Sequence, residues 1–209
     1  MPDQTPKLGI PYPLPADAVT DYPGVGQDLA ETLEALFADF PTCKVSKSSD
    51  TAVPSGQSVY VPFDLERWDP WAMHDPAVNP TRVTAPKAGL YLVTANLFLS
   101  LAVAPAAGSP GMQNYARLRA RGNLYFADQS VSFLGAGTIR LTFAGMVVLN
   151  VGDYVELGVF NSTGQTMTIA YAVNSAPDLG VAYLGPSAPT LLQELLDSLR
   201  AEAEPAPAG

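Results

Sequence analysis

The sequence predicts an all-β protein, an antiparallel sandwich with an N-terminal extended arm and short helix and a C-terminal amphipathic helix. Three observations carry that reading. The 209 residues include 17 glycines and 20 prolines, a load that disfavours an all-helical chain and suits short strands joined by turns. From Thr42 to Pro186 apolar residues recur with period two, and turn residues interrupt them at intervals of roughly 8–15 positions. Hydrophobic residues make up 47% of the chain and charged residues 15%, so it can bury a sizeable core and is not disordered throughout.

The first 24 residues hold Pro2, Pro6, Pro11, Pro13, Pro15 and Pro23. Proline at this density supports neither a helix nor an inner strand, so the segment reads as an extended arm. Leu8, Ile10, Tyr12 and Leu14 fall two apart, which favours an arm lying along a partner over a free linker. Gly24 to Phe40 reads as a helix with Asp28 and Glu31 near its positive N-terminal end. Leu29, Leu33, Leu36 and Phe40 are spaced 4, 3 and 4, the seam of a short coiled coil. Fewer than two heptads are marginal alone, so the helix either packs on its own body or forms a self-association stalk. Pro41 ends it.

Strands are expected at Ser58–Phe63, Gly89–Ala104, Asn114–Arg121, Asn123–Ala127, Thr138–Leu149, Tyr154–Phe160, Thr166–Ala172 and Gly180–Leu184. With no helices between them they form an antiparallel sandwich. Two strands are apolar on both faces: Tyr91, Val93, Ala95, Leu97 and Leu99 oppose Leu90, Leu92 and Phe98, and Leu141, Phe143, Val147 and Leu149 oppose Ala144, Met146 and Val148. A half-solvated strand alternates cleanly, so a second face of this kind needs a cover, and contact with further copies of the chain is the simplest one. Leu191, Leu192, Leu195, Leu196 and Leu199 give residues 188–209 an amphipathic helix followed by a disordered acidic tail.

Charge divides as the elements do. Residues 1–41 carry one lysine and seven acids, 42–187 nine basic and nine acidic residues, and 188–209 one arginine and four acids, for a net charge of −9. A neutral body with acidic ends is a poor nucleic-acid binder; the ends confer solubility or act as docking tails. No long uninterrupted apolar run predicts membrane insertion, and MPDQTPKLGI lacks a basic-then-apolar signal pattern. The expectation is a product made in the cytoplasm.

The single cysteine and single histidine exclude a disulfide framework and cysteine-cluster or multi-histidine metal centres. There is no nucleophile elbow, phosphate-binding loop or dinucleotide fingerprint after a strand, so no catalytic residue, cofactor or metal is assigned. His74 reads as a satisfied loop histidine and Cys43 as a small buried apolar residue. Asp64, Glu66, Asp69 and Asp75 lie close in sequence but lack a calcium-loop pattern. Asn161-Ser162-Thr163 matches a glycosylation acceptor, which matters only in a secreted protein. Trp68 and Trp71, in a polar stretch, either stack on sugar rings or a partner, or close one end of the sandwich. Arg117, Arg119 and Arg121 share one strand face by period two, and like charges so placed need anionic partners. Those partners are carboxylates across strands or subunits, or an anionic ligand such as an acidic cell-wall polymer.

The order of segments carries a resemblance. Val61-Pro62-Phe63-Asp64 precedes the Trp-bearing stretch Glu66–Asp75. Thr84-Ala85-Pro86-Lys87-Ala88-Gly89-Leu90-Tyr91-Leu92-Val93 follows, then Leu149-Asn150-Val151-Gly152-Asp153-Tyr154-Val155-Glu156-Leu157 and Gly180-Val181-Ala182-Tyr183-Leu184. From Thr42 to Pro186 this resembles the trimeric jelly roll of the tumour necrosis factor and complement subcomponent globular-head superfamily. Similar heads in phage virion proteins carry a stretch like Phe63–Asp69 before the Pro-x-x-Gly-x-Tyr line. Animal members carry collagen-like stalks and secretory signals, and neither is seen here. The resemblance implies a homotrimeric, non-enzymatic virion protein, a head or tail fibre, spike or capsid-decorating head. Its arm and helix would attach to other capsid or tail proteins. The alternative is a receptor-binding module that recognises a host surface glycan through its loops.

Overall fold

The structure, a computed structural model, describes residues 3–4, 11–12, 22–38, 40–104, 114–133, 135–173 and 176–187; for 3–4, 11–12, 22 and 34–38 it describes the backbone alone. The chain divides into two compact units, Met1–Phe40 and Pro41–Gly209.

In the first unit β1 (Asp3–Gln4) pairs antiparallel with β2 (Pro11–Tyr12), Asp3 opposite Tyr12 and Gln4 opposite Pro11. The arm is therefore not extended throughout: it folds back on itself, and Pro11 is tolerated because a two-stranded ladder is all edge. Helix α1 spans Tyr22–Ala38 and has no acid in its first turn, so Asp28 and Glu31 do not sit at its N-terminal end. Pro23 fits the first turn, where its missing N–H has no helical partner. The helix stops before Phe40 because a residue ahead of proline, here Pro41, is pushed out of the helical region. The expected seam thus loses its last member: Leu29 is half-buried on α1, Leu33 is exposed, and Phe40 is exposed beyond the helix end. The side chain of Leu36, the residues Leu8, Ile10 and Leu14, and the segment 188–209 with its expected helix lie outside the described residues, as does the side chain of Tyr12 on β2.

The second unit holds β3 (Thr42–Ser46), β4 (Thr51–Val53), β5 (Gln57–Tyr60), β6 (Leu65–Trp68), β7 (Val83–Thr84), β8 (Gly89–Leu101) and β9 (Asn114–Ala120). β10 (Leu124–Val131), β11 (Gly137–Leu149), β12 (Tyr154–Asn161), β13 (Met167–Ile169) and β14 (Asp178–Gly185) complete it. All pairings among the described residues are antiparallel, and eight of these strands pair from outermost to innermost: β3 with β14, β5 with β12, β8 with β11, and β9 with β10. That nested pairing, rolled into two sheets, is a jelly roll. The first sheet runs β11–β8–β14–β3–β6, with β13 and β4 extending it beside the far end of β8; the second runs β10–β9–β12–β5, with β7 beside β12.

Tyr91, Leu97, Leu99, Leu141 and Phe143 of the first sheet meet Leu118, Val155, Leu157 and Val159 of the second in one buried core. The Val151-Gly152-Asp153 turn is where the sequence places it. Gly152 adopts φ 83°, a conformation glycine takes at no steric cost, and Asp153 Oδ2 accepts the Asn150 N–H at 2.7 Å. The expected strand Ser58–Phe63 ends at Tyr60, since Pro62 has no N–H to give the ladder. The expected Trp-bearing loop is part strand, β6. Among the described residues no helix is long and apolar enough to cross a membrane.

Candidate functional site

Two outward sheet faces present the chemistry of this unit. On the second sheet, β9 turns Ala116, Leu118 and Ala120 into the core and Tyr115, Arg117 and Arg119 outward, as a period of two requires. Arg119 lies opposite Glu156 of β12. Its Nε donates to Glu156 Oε2 at 3.2 Å, its Nη2 donates to the same oxygen, and its Nη1 donates to the Gly122 carbonyl at 2.9 Å. Glu156 Oε1 accepts from Thr81 Oγ1 at 2.9 Å and from Arg82 Nε at 3.2 Å. The Glu156 side chain is 3% exposed, so a buried carboxylate is held by two guanidiniums and a hydroxyl. Burial pulls the pKa of Arg119 down, and the hydrogen bond and charge of Glu156 outweigh it and hold the pKa above the ordinary value.

Aromatic rings fill the spaces between these charges. The Arg119 guanidinium lies 3.8 Å from the Tyr60 ring centre, and Arg117 lies 3.6 Å from Tyr115 and 4.9 Å from Tyr125, within cation–π range. Tyr115 stacks on Phe160 at 4.9 Å. Arg117 Nε donates to Asp128 Oδ2 at 2.6 Å in a more exposed pair. Arg121 departs from the row the sequence predicts. It lies past the end of β9 with φ 55°, Nε 3.0 Å from Asp153 Oδ2 and Nη2 donating to the Val148 carbonyl; the turn at Gly122 removes it from the strand face. Each of the three arginines meets a carboxylate within the chain.

The first sheet turns a graded face outward. At one end Val148 lies opposite Leu90, and Met146, Leu92, Ala182 and Thr42 follow one another across β11, β8, β14 and β3. Met146 is 64% exposed, with Val148 and Leu184 also exposed. Toward the other end the rows become polar: Thr142, Asn96, Asp178 and Ser46, then Arg140 beside Phe98. Trp68 of β6 belongs to this face. Its indole N–H donates to Thr42 Oγ1 at 2.8 Å while the side chain stays 60% exposed, and it lines a groove of about 320 Å³ with Leu92 and Ala182. Trp71 instead packs against the core, so the two tryptophans have different surroundings.

The remaining candidates hold loops in place. His74 is buried with Nδ1 2.8 Å from the Arg82 carbonyl and Nε2 3.2 Å from the Phe63 carbonyl. Asp64 accepts from Ser48, Asp69 from the Met73 and His74 amides, and Asp75 from the Ala77 and Val78 amides. Among the described residues no group of three acidic, histidine or cysteine side chains is placed to hold a metal ion. Asn161 is buried, its amide donating to the carbonyls of Val53 and Gln165, so it ties a turn together. Cys43 faces the core, where burial first, and the charges of Asp69 and Glu66 second, push its thiol pKa up. The thiolate is the reactive form, so the folded chain should resist a thiol-labelling reagent at pH 8 and react fully once denatured; rapid labelling without denaturant would contradict this.

No family model matches this chain, and no curated protein matches it. Solved structures similar to it include the globular domain of zebrafish complement 1qA protein, at 12% identity and TM-score 0.48, covering 70% of this chain and 99% of that one. Eiger TNF from S. frugiperda shows 15% identity and TM-score 0.46, covering 71% and 94%. Murine APRIL shows 11% identity and TM-score 0.48, covering 69% and 99%.

Sequence reasoning missed Glu156 as the hub of the arginine face. The local signal was present: in the sequence Val155, Leu157 and Val159 alternate with Tyr154, Glu156 and Gly158, so period two sets the Glu156 carboxylate on the face of β12 away from the core.

Proposed function

We propose that this chain is a structural virion protein of a bacteriophage. In this reading it is a homotrimer that assembles through the apolar end of its outward first-sheet face and attaches to capsid or tail proteins through residues 1–41. The role is non-enzymatic, and the site of action is the virion. The observation that carries self-association is the juxtaposed row of Leu90, Leu92, Met146 and Val148 with Trp68 at its margin, a contiguous apolar surface of the kind that marks an interface. The phage assignment draws its support from the run Phe63–Asp69 ahead of Pro86-Lys87-Ala88-Gly89-Leu90-Tyr91. A second reading, a glycan-binding adhesin on the same trimer, is favoured by Tyr125, which stands half-exposed on the other sheet beside Arg117, itself paired with Asp128.

Native mass spectrometry at micromolar concentration should give the mass of three chains. Met146→Glu combined with Leu92→Glu should give a folded single chain by circular dichroism. A parent protein that is already a single chain overturns the assembly reading. Whole-cell binding that is lost in Tyr125→Ala, while the mass stays that of three chains, would establish the adhesin reading.

A further inference from the structure

The polar end of the first-sheet face forms a concavity of about 490 Å³. Lys44 and Ser46 of β3, Arg67 of β6, Asn96 and Phe98 of β8, Arg140 of β11, and Asp178 line it. Three cationic side chains and one carboxylate, that of Asp178, thus line the same concavity. That carboxylate is already engaged: Asp178 Oδ1 accepts from Asn96 Nδ2 at 3.0 Å, and Oδ2 lies 3.5 Å from Lys44 Nζ. Asn96 is fixed in turn, its Oδ1 accepting from Thr142 Oγ1 at 3.1 Å. Arg67 is held at one point only, Nε donating to Ser46 Oγ at 2.8 Å, and its two Nη groups make no hydrogen bond to a described residue. The Arg140 guanidinium lies 4.6 Å from the Phe98 ring centre. A guanidinium fork with both terminal nitrogens available, beside a second guanidinium and an ammonium, matches two coplanar oxygens of one anionic group. Arg67 differs in this from Arg117, Arg119 and Arg121 of the other sheet, which already meet carboxylates of this chain.

We propose that this concavity is an oxyanion site, taking a phosphate or carboxylate group on Arg67, Arg140 and Lys44. Phosphate oxygens can come from a free ion or from a polymer, and the two sources are separated by the probe. The full chain is titrated with inorganic phosphate, with citrate and with a short polyphosphate, each against chloride at equal ionic strength so that screening is constant. Thermal melts and calorimetry are the readouts. At least one probe should raise the melting temperature by a few degrees at concentrations well above its dissociation constant. Arg67→Gln, an exposed change that leaves the core untouched, should weaken that probe at least tenfold, and Lys44→Gln should weaken it less. Tight binding by polyphosphate alone identifies a polymeric ligand, and equal response to the monomeric ions identifies a small one. No response beyond chloride for any probe overturns the proposal, as does a response that Arg67→Gln leaves unchanged. Native mass measured in the same samples keeps the outcomes separate: a single chain that still binds phosphate removes the trimer and keeps the site, while a trimer without anion response does the reverse.

Discussion

Replacing Gly89 with alanine should cost the fold about 3 kcal/mol, at the upper end of the range for forcing extra volume into a packed site. A Cβ at this position would stand 2.4 Å from the Gly185 carbonyl oxygen and 2.4 Å from Cε2 of Tyr183. The first of these is backbone and cannot swing away. Tyr183 cannot move freely either, because its ring meets the fully buried Tyr91 ring edge-on at 5.3 Å. Tyr91 is itself anchored, its hydroxyl donating to the Lys87 carbonyl at 2.7 Å, and burial pushes its pKa up to about 12. Thermal melts should show a fall of roughly 6–12 °C. Gly135→Ala, where the new methyl group meets nothing within 4 Å, should stay within ~0.5 kcal/mol of the parent. A Gly89→Ala protein that melts within 2 °C of the parent would show that the strand end yields easily.

Arg119→Ala should destabilise the chain by about 2–4 kcal/mol. Removing one partner of a buried ion pair leaves the other charge uncompensated, which typically costs more than the pair contributed. Glu156 would keep Arg82 and Thr81, which holds the loss below the largest values. The loss should change little between low and high salt, since a carboxylate 3% exposed is poorly screened. Arg117→Ala is the comparison: its partner Asp128 is 44% exposed, and such pairs are worth under ~1 kcal/mol. Urea melts of both variants at two ionic strengths decide the point. An Arg119→Ala protein as stable as the parent would mean that the row exists for a ligand and not for the fold.

What the sequence disclosed, and what it hid, follows from how far apart the interacting residues lie. The long strands β8, β9, β11 and β12 were legible because apolar residues recur at two-residue intervals along seven to thirteen residues bounded by turn residues. β3 was missed because Thr42–Ser46 offers only Cys43 and Val45 as apolar positions, too few to establish a period. β6 was missed because Glu66, Arg67 and the neighbouring Asp64, Asp69 and Pro70 give it the composition of a loop. The outward direction of Arg117 and Arg119 is a local property and could be read. Their partners Asp128 and Glu156, and the gathering of Lys44, Arg67 and Arg140, depend on which strands become neighbours, and no short window of sequence contains that information. Gly89 sits between the two cases: its motif was visible, but the reason for it, the Tyr183 ring crossing the strand, was not.

The position of β14 has a consequence for biosynthesis. This strand lies between β3 and β8, pairing with both, yet it is the last described strand to leave the ribosome. At about 5–20 residues per second, the interval between completing β8 and completing β14 is on the order of ten seconds. Through that interval the inner edges of β3 and β8 offer unpaired N–H and carbonyl groups to any strand that fits them. Closure of the first sheet therefore waits on contacts far apart in sequence, Val181 with Cys43 and with Val93 among them, and such non-local pairings are the slow ones to form.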